Sequence, residues 1–209
     1  MKFHSKIFGW EYAWQEFANE LGGSAETDPQ STPSLKQIQV PVPGVGPMYF
    51  IPEVHKVGSQ VDTTVLLLYK PCDDFVFALH TQKFLNAVSK LLGAQDIIIG
   101  DHAVDQRFII QSNHEERVTE LLSDAQLKQE LLDRPDMHLR VLSSSDKLPH
   151  GEKLPVGHNA LCYTQHQSLD SYDSLAAVYK MLASMAEYAM VPPKTDVSRA
   201  RISESLLKR

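Results

Sequence analysis

The sequence predicts an α+β protein: a mainly antiparallel sheet packed by a long C-terminal helix, with an amphipathic helix at the N-terminus. Three observations predict it. Strand-like segments between residues 38 and 81 are joined by connections too short for a parallel crossover. The stretch "SYDSLAAVYKMLASMAEYAM" repeats apolar residues at i, i+3, i+4 and i+7 with no Gly or Pro. The elements also run helix, strands, helix, strand, helices, strands, helix, which is not the strict alternation of a doubly wound fold.

Taken in order, "WEYAWQEFANELGG" sets Trp10, Trp14, Phe17 and Leu21 at helical spacing, with Gly22 and Gly23 as the stop. Two tryptophans on one stripe pack on the chain's own core or form a partner-binding ridge, so Trp10 and Trp14 are interaction candidates. Residues 24–37 are polar and punctuated by proline, and read as a loop. "QIQVPVPG" and "PMYFIPEV" read as strands about a Gly44–Gly46 turn, their prolines favouring sheet edges. "VDTTVLLLYKP" and "DFVFALHT" are stronger strands separated by "PCDD", which predicts a meander.

"TQKFLNAVSKLLG" predicts a helix with Thr81 as N-cap and Gly93 past its end. "DAQLKQELLDRP" predicts another, capped by Asp124 and stopped by Pro135. "MHLRVLS" and "NALCYTQH" read as strands on either side of a long exposed loop, residues 143–158. Leu175, Val178, Tyr179, Leu182, Met185, Ala186 and Ala189 form the buried stripe of the last helix, which Pro192 and Pro193 end. The expected organisation is one domain over 1–190 and a mobile basic tail over 191–209, where five basic residues face two acidic ones.

A chain of 209 residues that is 43% hydrophobic is long enough to bury a sizeable core. Its net charge of -6 gives no general attraction to nucleic acid or to an anionic membrane, so neither is an expected partner. No apolar run approaches the length of a membrane span, and "MKFHSKIFGW" lacks the apolar core of a secretion signal. A soluble cytoplasmic protein is the expectation. Cys72 and Cys162 read as two reduced, half-buried thiols.

The block "GDHAVDQRFIIQSNHEERVTELLSD", residues 100–124, poses the chemical question. Asp101, His102, Asp105 and His114 resemble the metal ligands of two-metal phosphoesterases, which carry Gly-Asp-x-x-Asp and then Gly-Asn-His-Glu. Three features argue against that chemistry. No Asp-x-His precedes Gly100, Ser112 stands where a Gly belongs, and residues 102–112 are too few for the helix and strand that separate the family's two motifs. Local geometry offers another account. "VDQRFIIQ" reads as a strand with Val104, Phe108 and Ile110 inward and Asp105 and Arg107 paired at the surface. Ser112 or Asn113 then caps a helix, with Glu115 or Glu116 closing a capping box and Val118, Leu121 and Leu122 buried. A looser zinc site from His102, His114 and His158 has no supporting spacing, and neither His150 nor His166 adds one. No nucleophile elbow or dinucleotide fingerprint occurs, so no cofactor is expected.

From Asp74 to Tyr188 the chain resembles a group of bacterial proteins that carries no established activity. The resemblance rests on "GAQDIIIGDHAVDQRFIIQSNHEERVTELL", on "MHLRVL" and the last helix in the same order, and on "WQEFANELGG". Val104 stands where the group has Phe, which keeps the position apolar. The resemblance implies one compact domain in which the Gly-Asp block turns into a central strand. Gly100 would free the backbone there, and Asp101 or Asp105 would bind turn amides.

These readings predict a non-catalytic protein that binds or assembles, with self-association as a homodimer the first form and a foreign protein the second. The alternatives are a metal-dependent phosphoesterase using Asp101, His102, Asp105 and His114, and a small-ligand binder with a pocket between sheet and long helix.

Overall fold

A computed structural model describes residues 9–30, 34–54, 61–81, 95–134, 136–144, 146, 148 and 153–192. The elements are α1 (Trp10–Glu20), β1 (Ser24–Thr27), β2 (Leu35–Val42), β3 (Gly46–Val54), β4 (Val61–Tyr69), β5 (Phe77–Thr81), β6 (Gln95–Ile97), α2 (His102–Arg107), β7 (Phe108–Ser112), α3 (Glu115–Ser123), α4 (Ala125–Leu132), β8 (Met137–Leu142), β9 (Asn159–Gln165) and α5 (Tyr172–Met190). The helix expected over 82–94 and the tail beyond Pro192 lie outside the described residues.

The strands form one sheet in the order β1-β2-β3-β4-β9-β8-β5-β7-β6, and every pairing is antiparallel. This is the α+β class read from the sequence. The meander is correct only as far as β4. Instead of pairing with β4, β5 sits between β8 and β7, so β9 and β8 are inserted between the two. Local patterning cannot carry that choice, because any half-buried strand offers the same alternation.

Two further corrections concern the first half. The segment read as a loop over 24–37 contains β1 and the start of β2. All four β1 residues are exposed, so no hydrophobic period marks the strand. The proline-bearing strands β2 and β3 are also interior, not edges. Pro41 and Pro47 face each other in register. Two prolines can oppose one another only at a pair that exchanges no hydrogen bonds. Pro41 lies beyond Gln39, the last β2 partner of β1, so no strand there requires its missing donor.

The two faces of the sheet differ. Val65 and Leu67 of β4, Leu161 and Tyr163 of β9, Leu139 and Val141 of β8, and Phe77 and Leu79 of β5 join the helices in the main core. Leu175, Val178, Leu182, Met185, Ala186 and Ala189 of α5 complete it, as the stripe predicts, with Met181 added, while Tyr179 of the same stripe is only half-buried. Ser171 starts this 19-residue helix by a capping box with Ser174. Trp14 is 0% exposed, its indole N–H donates to the Leu169 carbonyl at 2.7 Å, and its ring meets Phe50 edge-on. Trp14 therefore belongs to the core, whereas half-buried Trp10 packs on it from the rim. At the end of α1, Gly22 adopts φ +70°, the left-handed conformation that lets the chain leave a helix.

The second face carries a smaller apolar cluster of Ile51, Leu66, Leu142, Ala160 and Cys162, to which Leu148 and Leu154 add. The loop between β8 and β9 is thus not wholly exposed, since Leu154 is buried. Cys72 is exposed and Cys162 buried, so neither thiol is half-buried. No described helix is long and apolar enough to cross a membrane.

Candidate functional site

The 100–124 block forms a bend, a short helix, a strand and the helix α3. Residues 102–107 are helical, so the expected strand begins only at Phe108. The alternation of "VDQRF" is outweighed by its entry: Gly100 takes φ +80°, and Asp101 caps the helix. Asp101 Oδ1 accepts the N–H groups of Ala103 and Val104, and Oδ2 meets the Lys128 ammonium at 2.6 Å. Lys128 first, and these amides with it, hold the Asp101 carboxyl below the usual carboxylate range. Asp105 does not pair with Arg107 as expected. Its two oxygens accept the amides of Ile99 and Gly100, each at 3.0 Å.

The imidazoles point elsewhere. His102 Nε2 lies 3.1 Å from Gln106 Nε2, one turn along the same helix. His114 Nε2 lies 3.2 Å from Asp74 Oδ1, which lowers the Asp74 pKa. His158 Nδ1 is 3.1 Å from the Val156 carbonyl, while His166 Nδ1 is 2.7 Å from Asp62 Oδ2 on another part of the sheet. Among the described residues no three His, Cys, Asp or Glu side chains are placed to share a metal ion. Asp101 and Asp105 already use both oxygens on neighbours, which leaves little for a cation.

The expected capping box at 112–116 also takes a different form. His114 is the N-cap of α3 and makes no side-chain cap bond. Ser112 Oγ instead donates to the Val76 carbonyl and accepts the His114 amide, while the Asn113 side chain brackets the chain at Asp74 and Val76. These residues tie α3 to the segment before β5. Asp124 does cap α4 as expected, accepting the Leu127 amide at 2.8 Å.

Because Asp105 carries two backbone donors, Asp105→Ala is expected to lower stability by about 2 kcal/mol. Urea unfolding measures this; an unchanged midpoint would show that the bend does not need the carboxylate.

Two groupings were not read from the sequence. The first is built on Arg117, whose side chain is 7% exposed. It pairs with Asp73 and donates to the carbonyls of Tyr188 and Val191 at the end of α5, and its guanidinium lies 4.3 Å from the Phe75 ring centroid. The second lies on the far face of the sheet, where His80 of β5 opposes His138 of β8 with ring centroids 4.1 Å apart. Burial, then the positive charges nearby, lower the pKa of both, that of His138 to about 3. The sequence sign was His138 and Arg140 at alternate positions of "MHLRVL", the ordinary mark of a solvated face, and "FALHT" has no such alternation.

The depressed His138 pKa fixes the sign of a pH effect. Its contribution is complete above the ordinary histidine value of 6.5 and is lost as pH falls from there toward about 3. Stability is expected to fall by at most about 1.4 kcal/mol per pH unit between pH 6.5 and 5 for each proton that only the unfolded chain binds. Urea midpoints across that range, compared with His138→Gln, check it; equal slopes in the two proteins would contradict it.

A cleft of about 400 Å³ also lies between α3–α4 and α5, lined in part by Glu120, Asp124, Glu130, Lys180, Met181 and Tyr188.

No family model and no curated protein sequence matches the chain. Among solved structures it is similar to a crystal structure of the mycobacterial trehalose monomycolate transport factor A, TtfA. The TM-score is 0.51 at 9% identity, over 90% of this chain and 98% of that one. At that identity the likeness shows a shared fold and nothing about activity.

Proposed function

We propose that this protein is a non-catalytic member of the bacterial group its 93–122 block resembles, and that it works in the cytoplasm by binding or assembly. One observation carries the proposal. The acids and imidazoles that suggest metal chemistry are bonded within the chain, to amides at 99, 100, 103 and 104, to Lys128, to Gln106 and to Asp74. A fold shared with a protein named as a transport factor is compatible with a role that makes and breaks no bonds.

Self-association into a homodimer is the first form to test. Sedimentation velocity over a wide concentration range is expected to show a species of twice the 23.5 kDa chain mass. A monomer at every concentration would remove self-association and leave binding of a foreign protein or a small molecule. A metabolite panel read by thermal shift then tests the latter, because a ligand of the folded state must raise Tm.

A further inference from the structure

One patch on the second face of the sheet gathers cationic and imidazole groups without a carboxylate to pair with them. Arg140 and His138 are alternate residues of β8, so they share a face, and His80 stands opposite His138 in register. His80 is 4% exposed, and His138 Nε2 is buried with no hydrogen-bond partner. Arg140 is half-buried and forms no ion pair among the described residues. After burial, its charge adds to the lowering of both imidazole pKa values; burial raises that of the Cys162 thiol, across from it on β9, and Arg140 offsets part of that rise.

The other charged groups of this face each have a partner, although Glu53 also acts on the Cys162 thiol. His166, after β9, is held by Asp62 of β4. Glu53 of β3 accepts the Thr64 hydroxyl, and Asp96 of β6 accepts the Gln111 amide.

We propose that Arg140, His138 and His80 form a binding site for a small oxyanion, either a tetrahedral group such as a phosphate ester or a carboxylate. Among the described residues the acceptor Arg140 reaches is the weakly accepting Cys162 sulfur, which leaves most of its planar fork for the paired oxygens of such an anion. Each neutral imidazole presents one donor nitrogen and gains a second on protonation. Burial first, and the Arg140 charge after it, hold these rings neutral; an anion bound at Arg140 offsets the second cause, so binding favours taking up protons. A metal cation is the poorer fit, because two imidazoles supply half a tetrahedral ligand set and Arg140 repels the ion. Arg140 and His138 retain some exposure, so the ligand has a route from solvent.

The inference stands whether or not the chain self-associates, and the sedimentation result and the following titration fail separately. The full chain is titrated with sodium sulfate and, in a second arm, with sodium acetate, with sodium chloride holding the ionic strength constant. Tm and the imidazole ¹H–¹⁵N signals are followed at pH 5.5, 6.5 and 7.5. The expected result is a saturable rise in Tm, movement of the His80 and His138 signals, and affinity that strengthens up to about tenfold per pH unit as pH falls. A response to sulfate alone assigns a tetrahedral ligand, a response to acetate alone a carboxylate, and a response to both the shared chemistry. Arg140→Gln should abolish the response, and His138→Gln should weaken its pH dependence. No response to either anion, or the same response in Arg140→Gln, overturns the proposal. Should Arg140→Gln fail to fold, the unsubstituted chain decides: imidazole signals that stay still during saturation overturn it.

Discussion

Arg117→Ala is expected to destabilise the protein by about 3–5 kcal/mol, the range for breaking a buried ion pair from one side. The loss has three parts. Asp73, whose side chain is 24% exposed, is left as an unpaired carboxylate. The carbonyls of Tyr188 and Val191 lose a donor at the end of α5, where helix carbonyls need outside partners. The Phe75 ring loses the guanidinium stacked on it. Urea unfolding gives the total. Arg117→Met separates the terms, because it keeps the aliphatic stem over Phe75 and loses only the charge and its donors. Hydrogen exchange should show fraying concentrated near residues 188–191, and a loss below about 1 kcal/mol in Arg117→Ala would mean that Arg117 does not anchor α5.

Trp14→Ala is expected to cost a similar 3–5 kcal/mol, by removing a large ring from a packed site. Trp14 touches both Trp10 and Phe50 edge-on, with centroids 5.2 and 6.0 Å away, so the cavity opens between α1 and the sheet. Trp14→Phe restores much of the volume but leaves the Leu169 carbonyl without its indole donor, at a cost of about 1–3 kcal/mol. The same residue separates core packing from a partner-facing ridge. If Trp14 were a ridge residue, Trp14→Ala would alter association and leave the unfolding midpoint of the monomer unchanged.

How legible the fold was depended on how far each determinant lies along the chain. α1 and α5 could be read because their stripes are complete and their ends carry Gly22 in one case and Pro192 in the other. β8 alternates over most of its length, β9 is a short run buried over its first five residues, and Asp124 acts as the N-cap its position suggested. β1 could not be read, because four exposed residues leave no period. The insertion of β9 and β8 between β4 and β5 is a matter of long-range pairing, which no local window contains.

The site divides in the same way. That Asp101 or Asp105 binds the bend's amides was implied by the family resemblance, whereas the alternation paired Asp105 with Arg107 and took the helix for a strand. The Arg117 clamp joins α3, the segment before β5 and the end of α5, so none of its contacts is near in sequence except by folding. His80 and His138 become neighbours only through the register of β5 with β8. A histidine in a strand gives no sign of which strand will lie beside it.

The metal content of the full chain, purified without chelator and measured by elemental mass spectrometry, tests most directly whether the Gly-Asp block is a bend or a cation site. The account predicts far less than one zinc, manganese or iron per chain, with a Tm that chelator leaves unchanged. One or two metal ions per chain, lost in an Asp101→Ala variant that still folds, would contradict it.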